Sequence, residues 1–234
     1  MCCALFFVSC SARQAITLQA GGAGTARLSV QLHPVFMAYY ADLASGFSSD
    51  FDSSRPRFFN PAAIREALAK NGALKIVSLD SPSPGSLELE VRIQDISLAI
   101  RNQNPAARSV LSRTQNGERE TLRIYLDKNN FASLLALVPE ADSPAAKMLL
   151  PPPGSSVTED EYIEHLAWAL EDYAKGEDIK NIVRSAVVEL SVKTPGKIIS
   201  QTGGTVRGES EVVFKLPVTR LFTLTSPVQY SVSY

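Results

Sequence analysis

Val187–Leu216 reads VVELSVKTPGKIISQTGGTVRGESEVVFKL, and this stretch decides the fold. Strands are expected over Val187–Val192, Lys197–Ser200 and Glu211–Leu216, with a further one over Val228–Tyr234. Thr194-Pro195-Gly196 and Gly203-Gly204 supply the joints, because Pro presets the backbone for a turn and Gly adopts conformations closed to other residues. Short strands with tight turns make an antiparallel meander. Working back toward the N-terminus, 127–178 is expected to be a helical insertion. Before it, Leu74–Leu79 and Leu87–Ile93 read as strands around the turn Ser81–Gly85, the second alternating Leu87, Leu89, Val91 and Ile93 with Glu88, Glu90 and Arg92. Two helices precede those, one opened by Pro34 and one by Asn60-Pro61. Gln14–Ala20 and Thr25–Leu32 form a hairpin around Gly21, Gly22 and Gly24. Strands and helices come in separate runs, without the regular alternation of a parallel sheet with crossover helices. The class is therefore α+β, a curved antiparallel β-sheet with flanking helices.

The region 97–118 is polar, carries Arg101, Arg108 and Arg113, and is expected to be a long connection with solvated arginines. Within the helical block, Phe131, Leu134, Leu135 and Val138 mark one helix and Ala145–Leu150 a second. After the break Pro151-Pro152-Pro153-Gly154, Thr158–Ala174 is a third, opened by a capping box from Thr158 to Glu161. On that third helix Tyr162, Leu166, Ala169, Leu170 and Tyr173 share one stripe, while Glu159, Glu164, Glu171 and Asp172 face water. The block holds three Lys/Arg against eleven Asp/Glu, although the whole chain of 234 residues carries a net charge of only −1. So even a charge gives no field to gather nucleic acid, and no nucleic-acid partner is expected.

All three cysteines fall within Met1–Cys10, MCCALFFVSC, which leaves no zinc knuckle, internal disulfide or thiol nucleophile for the body of the chain. The apolar run Ala4–Val8, the small Ser9, and Cys10 followed by Ser11 and Ala12 resemble a bacterial lipobox. That resemblance implies cleavage before Cys10 and lipidation of its thiol. The pattern departs from the usual one in having Phe7 where Leu is commonest and no Lys or Arg before Cys10. The organisation expected is a signal peptide over 1–10 and a single α+β domain over 11–234. Localisation is expected at the cell membrane or outer membrane, on the extracytoplasmic side.

Catalytic and metal chemistry find little footing. His33 and His165 are the only histidines, too few ligands for a transition-metal site, and no metal or cofactor is expected. Glu159, Asp160, Glu161 and Glu164 lack the spacing of a calcium loop, and acids in the first turn of a helix are already favoured by its dipole. Glu161 and His165 lie four apart on one face but have no serine elbow beside them, so they read as a surface contact. No enzyme is legible. Phe131, Leu135, Tyr162, Leu166 and Trp168 are the candidate walls of a ligand pocket between the helical block and the sheet, and the same spacing equally serves a filled core.

The C-terminal stretch, with its Pro195-Gly196 and Gly203-Gly204 turns, its aromatic strand Val212–Leu216 and the amphipathic segment Leu216–Leu224, resembles the LppM-type bacterial lipoprotein domain. The cysteine, the Gly-rich hairpin and the segment Asn60-Pro61-Ala62-Ala63-Ile64 agree with it. The acidic block with its triple proline and the lack of a C-terminal membrane helix depart from it. The resemblance implies a non-enzymatic envelope lipoprotein, anchored to the membrane by an N-terminal lipid, whose domain binds a lipid or other amphiphile. The alternative is a structural or adaptor lipoprotein that meets a protein partner in envelope assembly.

Overall fold

A computed structural model describes residues 11–47, 58–103, 105–135, 144–152 and 155–234. The class is α+β, as expected, with the strands divided between two sheets. The N-terminal hairpin pairs β1 (Ser11–Leu18) with β2 (Gly24–Gln31). Beyond β2 come β4 (Ser86–Ile93) and, at the edge, β3 (Leu74–Asp80). On its other side β1 lies against β7 (Val187–Lys193), followed by β10 (Glu211–Pro217) and the short β9 (Thr205–Arg207). The resulting seven-stranded sheet runs β3-β4-β2-β1-β7-β10-β9. Its ladders are antiparallel except the central one, where β1 and β7 run parallel from Ser11↔Val187 to Thr17↔Lys193. One parallel ladder thus fuses an N-terminal meander to a C-terminal one.

The second sheet has the order β5-β6-β11-β8, from β5 (Leu111–Asn116), β6 (Arg119–Leu126), β11 (Val228–Ser233) and β8 (Ser200–Thr202). Two expectations change here. The polar region 97–118 is no long connection: Asp95 caps α3 (Ile96–Arg101) by accepting from the amides of Ser97 and Leu98, then come α4 (Pro105–Val110) and the β5–β6 hairpin. Gly117, at φ 63°, makes the left-handed step that this tight turn requires. Of the three arginines, Arg113 is not solvated. Its guanidinium donates to Glu120 at 2.6 Å and to Ser97 at 2.9 Å, with only 11% of the side chain exposed. The strand expected over Lys197–Ser200 is the other change, since the chain stays irregular to Ile199 and then splits between β8 and β9 in different sheets.

Alternation gives the large sheet one dry face. Ala12 and Leu18, Leu28 and Val30, Leu89 and Val91, Val188 and Val192, and Val212 and Phe214 are all buried on it. The opposite face is wet, and its register is pinned by directly opposed pairs. Arg27 meets Glu90 at 3.1 Å, Ser29 donates to Glu88 at 2.7 Å, and Lys215 meets Glu189 at 3.3 Å. Each such exposed pair contributes only about 0.2–1 kcal/mol, so burial of the dry face dominates.

Helices complete the core. Val35, Phe36 and Tyr39 come from α1 (Pro34–Phe47), Leu68 from α2 (Pro61–Ala69), which Asn60 caps, and Ile179 and Val183 from α8 (Ile179–Ser185). In the expected helical insertion, α5 (Lys128–Leu135), α6 (Pro144–Leu149) and α7 (Glu159–Leu170) are present, and the Thr158–Glu161 capping box is formed. The segment expected to be amphipathic after Leu216 is α9 (Val218–Thr223), wholly buried apart from Arg220. Among the described residues no helix is long and apolar enough to cross a membrane.

Candidate functional site

The second sheet lies against the dry face of the first, and their facing side chains do not close completely. From the large sheet come Gln14 and Ile16 of β1, Val188, Leu190 and Val192 of β7, and Phe214 and Leu216 of β10. From the second come Leu122, Ile124 and Leu126 of β6 and Tyr230 and Val232 of β11. Two adjoining cavities remain. The larger, about 50 Å³, is closed by Val110 of α4, Phe131 of α5 and Leu221 of α9. The smaller, about 20 Å³, is closed by Ile96 and Leu111. Ile124, Leu190, Phe214 and Tyr230 line both, so the two chambers are neighbours along one crevice between the sheets, with these four side chains at their boundary. The rings of Phe214 and Tyr230 stack at 4.9 Å and 25° where they join.

Polar groups in this crevice are few. The Tyr230 hydroxyl donates to the Lys215 carbonyl at 2.9 Å, and burial pushes the phenol above its ordinary range. Gln14 is only 7% exposed, yet among the described residues its side-chain amide has no hydrogen-bond partner. Other buried amides are not left this way: Asn71 donates to the Ala99 carbonyl at 2.8 Å and accepts from the Ala73 amide at 3.2 Å. Among the described residues no charged side chain lines either chamber.

Beside the rings of Phe214 and Tyr230 the sheets are tied tightly. Gly203 and Gly204 carry the chain from β8 in one sheet to β9 in the other. At φ 77°, Gly203 lies so close to Tyr230 that a Cβ there would stand 2.5 Å from the ring, and a Cβ on Gly204 would stand 2.7 Å from Phe214. Only glycines let the sheets meet this closely. The amides of Ile198 and Ile199 donate at 2.8 Å to Glu209 and Ser233, one beside each sheet.

No protein-family model matches the chain, and a search of characterised proteins finds no relative. Among solved structures, the NMR structure of the folded domain of Mycobacterium tuberculosis LppM aligns over 97% of this chain and 91% of that one. The identity is 15% and the TM-score 0.43, a distant structural likeness.

The residues expected to form a pocket are not gathered round one cavity. Phe131 does line the larger chamber, and its ring meets Phe222 edge-on at 5.7 Å. Phe222 in turn lies 6.0 Å from Tyr162. Tyr162 and Leu166, each 1% exposed, belong to filled core, and the Tyr162 hydroxyl donates to the Leu149 carbonyl at 2.9 Å. Burial pushes that phenol far above its ordinary range. Trp168 points away, 72% exposed, with its ring 6.4 Å from that of His165. The reason is helical geometry, for two residues beyond Leu166 is about 200° round the axis. Leu135 belongs to α5, but its side chain lies outside the described residues, as does Cys10. Glu161 and His165 are not partners either, since Glu161 is engaged by Thr158 and a His165 ring nitrogen lies 2.9 Å from the Met148 carbonyl oxygen.

The candidate cavities therefore lie between two sheets, with helices α4, α5 and α9 closing the larger one. Gln14 carried a signal for it, being a polar residue at an inward position of β1 between Ala12 and Ile16.

Proposed function

We propose that this chain is an envelope lipoprotein whose domain holds the apolar chain of a lipid or other amphiphile between its two sheets. The crevice is the observation that carries this reading. Protein interiors leave few voids larger than a water molecule, and here two voids lie end to end along facing strands, walled by apolar side chains. Attachment through Cys10, expected from the lipobox-like N-terminus, would keep such a domain at a lipid surface.

At about 50 Å³ the larger chamber is small, whereas a site for a drug-sized ligand has roughly 300–1,000 Å³. Binding a chain therefore parts the sheets. The ties at Ile198, Ile199 and Gly203-Gly204 hold the sheets together beside Tyr230 and Phe214, so the parting falls elsewhere along the crevice. Mass spectrometry of lipids extracted from the full chain, purified without detergent, tests the reading. About one acyl lipid per chain is expected. A lipid-free chain that also takes up none from mixed vesicles sinks it.

A second reading, an adaptor that meets a protein partner, is favoured by Trp168 and Met148, 72% and 50% exposed on the acidic helical block. Capture of one repeatable partner by the unaltered chain, lost in Trp168→Ala, is what it requires.

A further inference from the structure

We propose that Gln14 selects the ligand of the crevice, which takes an acyl chain carrying an uncharged carbonyl, an ester or amide, in preference to a free fatty-acid anion or a plain hydrocarbon. This rests on the binding reading above and specifies what is bound.

The placement of Gln14 is unusual in three respects. It lies on the dry face of a central strand, with β2 on one side and β7 on the other, so it cannot turn to solvent without breaking register. It lines the larger chamber and is 7% exposed. Its amide has no hydrogen-bond partner among the described residues, while buried Asn71 is partnered on both its oxygen and its nitrogen. Among the described residues the fully buried polar atoms without a partner are on Tyr39, Ser155 and Thr223, none of which lines a chamber; the Gln14 amide keeps some accessible surface and does line one, the arrangement by which pockets fix the orientation of an apolar ligand.

The chemistry of the ligand follows from what Gln14 offers and what the walls lack. A primary amide donates two hydrogens and accepts through its oxygen, which suits a carbonyl or an amide of the bound molecule. The second polar side chain, Tyr230, already donates its hydroxyl to Lys215. Among the described residues no Lys, Arg or His lines either chamber, so a carboxylate drawn in would be desolvated without a counter-charge. A plain hydrocarbon would bury the Gln14 amide unsatisfied. An acyl ester avoids both penalties.

Equilibrium dialysis of the full chain against methyl laurate, laurate and tridecane, at about pH 8 where the fatty acid is ionised, separates these cases. The unaltered chain is expected to bind methyl laurate about five- to tenfold more tightly than tridecane, the factor of one net hydrogen bond, and more tightly than laurate. Gln14→Leu keeps the shape of the wall and removes the lone amide, so it folds with an unchanged or raised Tm and binds the ester and the hydrocarbon equally. In side-chain amide NMR, the Gln14 resonances shift with methyl laurate and not with tridecane. If Gln14→Leu still prefers the ester, or if laurate binds as tightly as its ester, Gln14 does not select and the proposal is overturned while binding in the crevice stands. If the unaltered chain binds none of the three, the binding reading itself fails.

Discussion

Replacing Gly203 with alanine tests the claim that the sheets are pinned at one corner. Two costs are separable there. At φ 77° an alanine pays the left-handed backbone penalty, about 1–2 kcal/mol. Its Cβ would also meet the Tyr230 ring at 2.5 Å and the Gln229 carbonyl at 3.0 Å, and the carbonyl is backbone held by the β6–β11 ladder. The ring must therefore move. Moving it disturbs the 4.9 Å stack on Phe214, worth about 0.5–1.5 kcal/mol, and the hydroxyl bond to Lys215, worth about as much. The total, about 2–5 kcal/mol, lowers Tm by roughly 4–20 °C in a chain of this size. Gly208 is the matched control, with φ 64° and open space where a Cβ would go. Gly208→Ala pays the backbone term alone and loses roughly 2–8 °C. Calorimetric unfolding of the two variants side by side measures the difference, which is the contact between the sheets. Equal losses in the two would refute the account of the corner.

Other expectations follow from the same geometry. Trp168 is the one tryptophan of the chain and is 72% exposed, so intrinsic fluorescence should emit at a solvent-exposed wavelength, be quenched readily by acrylamide, and stay unchanged when a lipid enters the crevice. A blue shift on lipid uptake would place the ligand at the helical block instead. Glu120→Ala strands Arg113, 11% exposed, and is expected to cost about 3 kcal/mol by denaturant titration, more than replacing both partners with apolar residues. The Asp42 carboxylate accepts the Tyr173 hydroxyl proton at 2.5 Å and holds that phenol up at about 12, against an ordinary 10.0. A folded-state value above the unfolded one means that this contribution to stability is complete below about pH 10 and is lost as pH rises toward 12. Tyr173→Phe should flatten that part of the alkaline stability curve, and an unchanged curve would count against the bond.

What the sequence disclosed and what it withheld divide along physical lines. Periodicity and caps are local properties, and they were legible: the alternation of Leu87–Ile93, the Asn60 cap and the Thr158–Glu161 box all stand in the structure. The parallel ladder between β1 and β7 joins residues more than 170 positions apart, and no local pattern reports such a pairing. The polar stretch 97–118 hid its structure for another reason. Its strand β5 is an edge strand, exposed along most of its length, so it lacks apolar alternation, and only the Asn116-Gly117 step announced a hairpin.

An apolar helix stripe has the same spacing whether it lines a cavity or fills a core, so the sequence could not choose between the two. Tyr162 and Leu166 were placed on the inward stripe correctly, and the interior they enter is packed. A cavity is a shortage of side-chain volume between two surfaces, a property of pairs of elements that neither sequence segment holds by itself. A polar residue in an apolar register is different, because the mismatch lies within one strand. Ala12, Gln14, Ile16 and Leu18 alternate inward along β1, and of these four only Gln14 carries a group whose burial must be answered by a partner. Along a strand of known register such a residue points to a site before any cavity is seen. Applied to β1, that rule leads to the larger chamber, and it makes Gln14 the residue whose substitution bears most directly on what this domain binds.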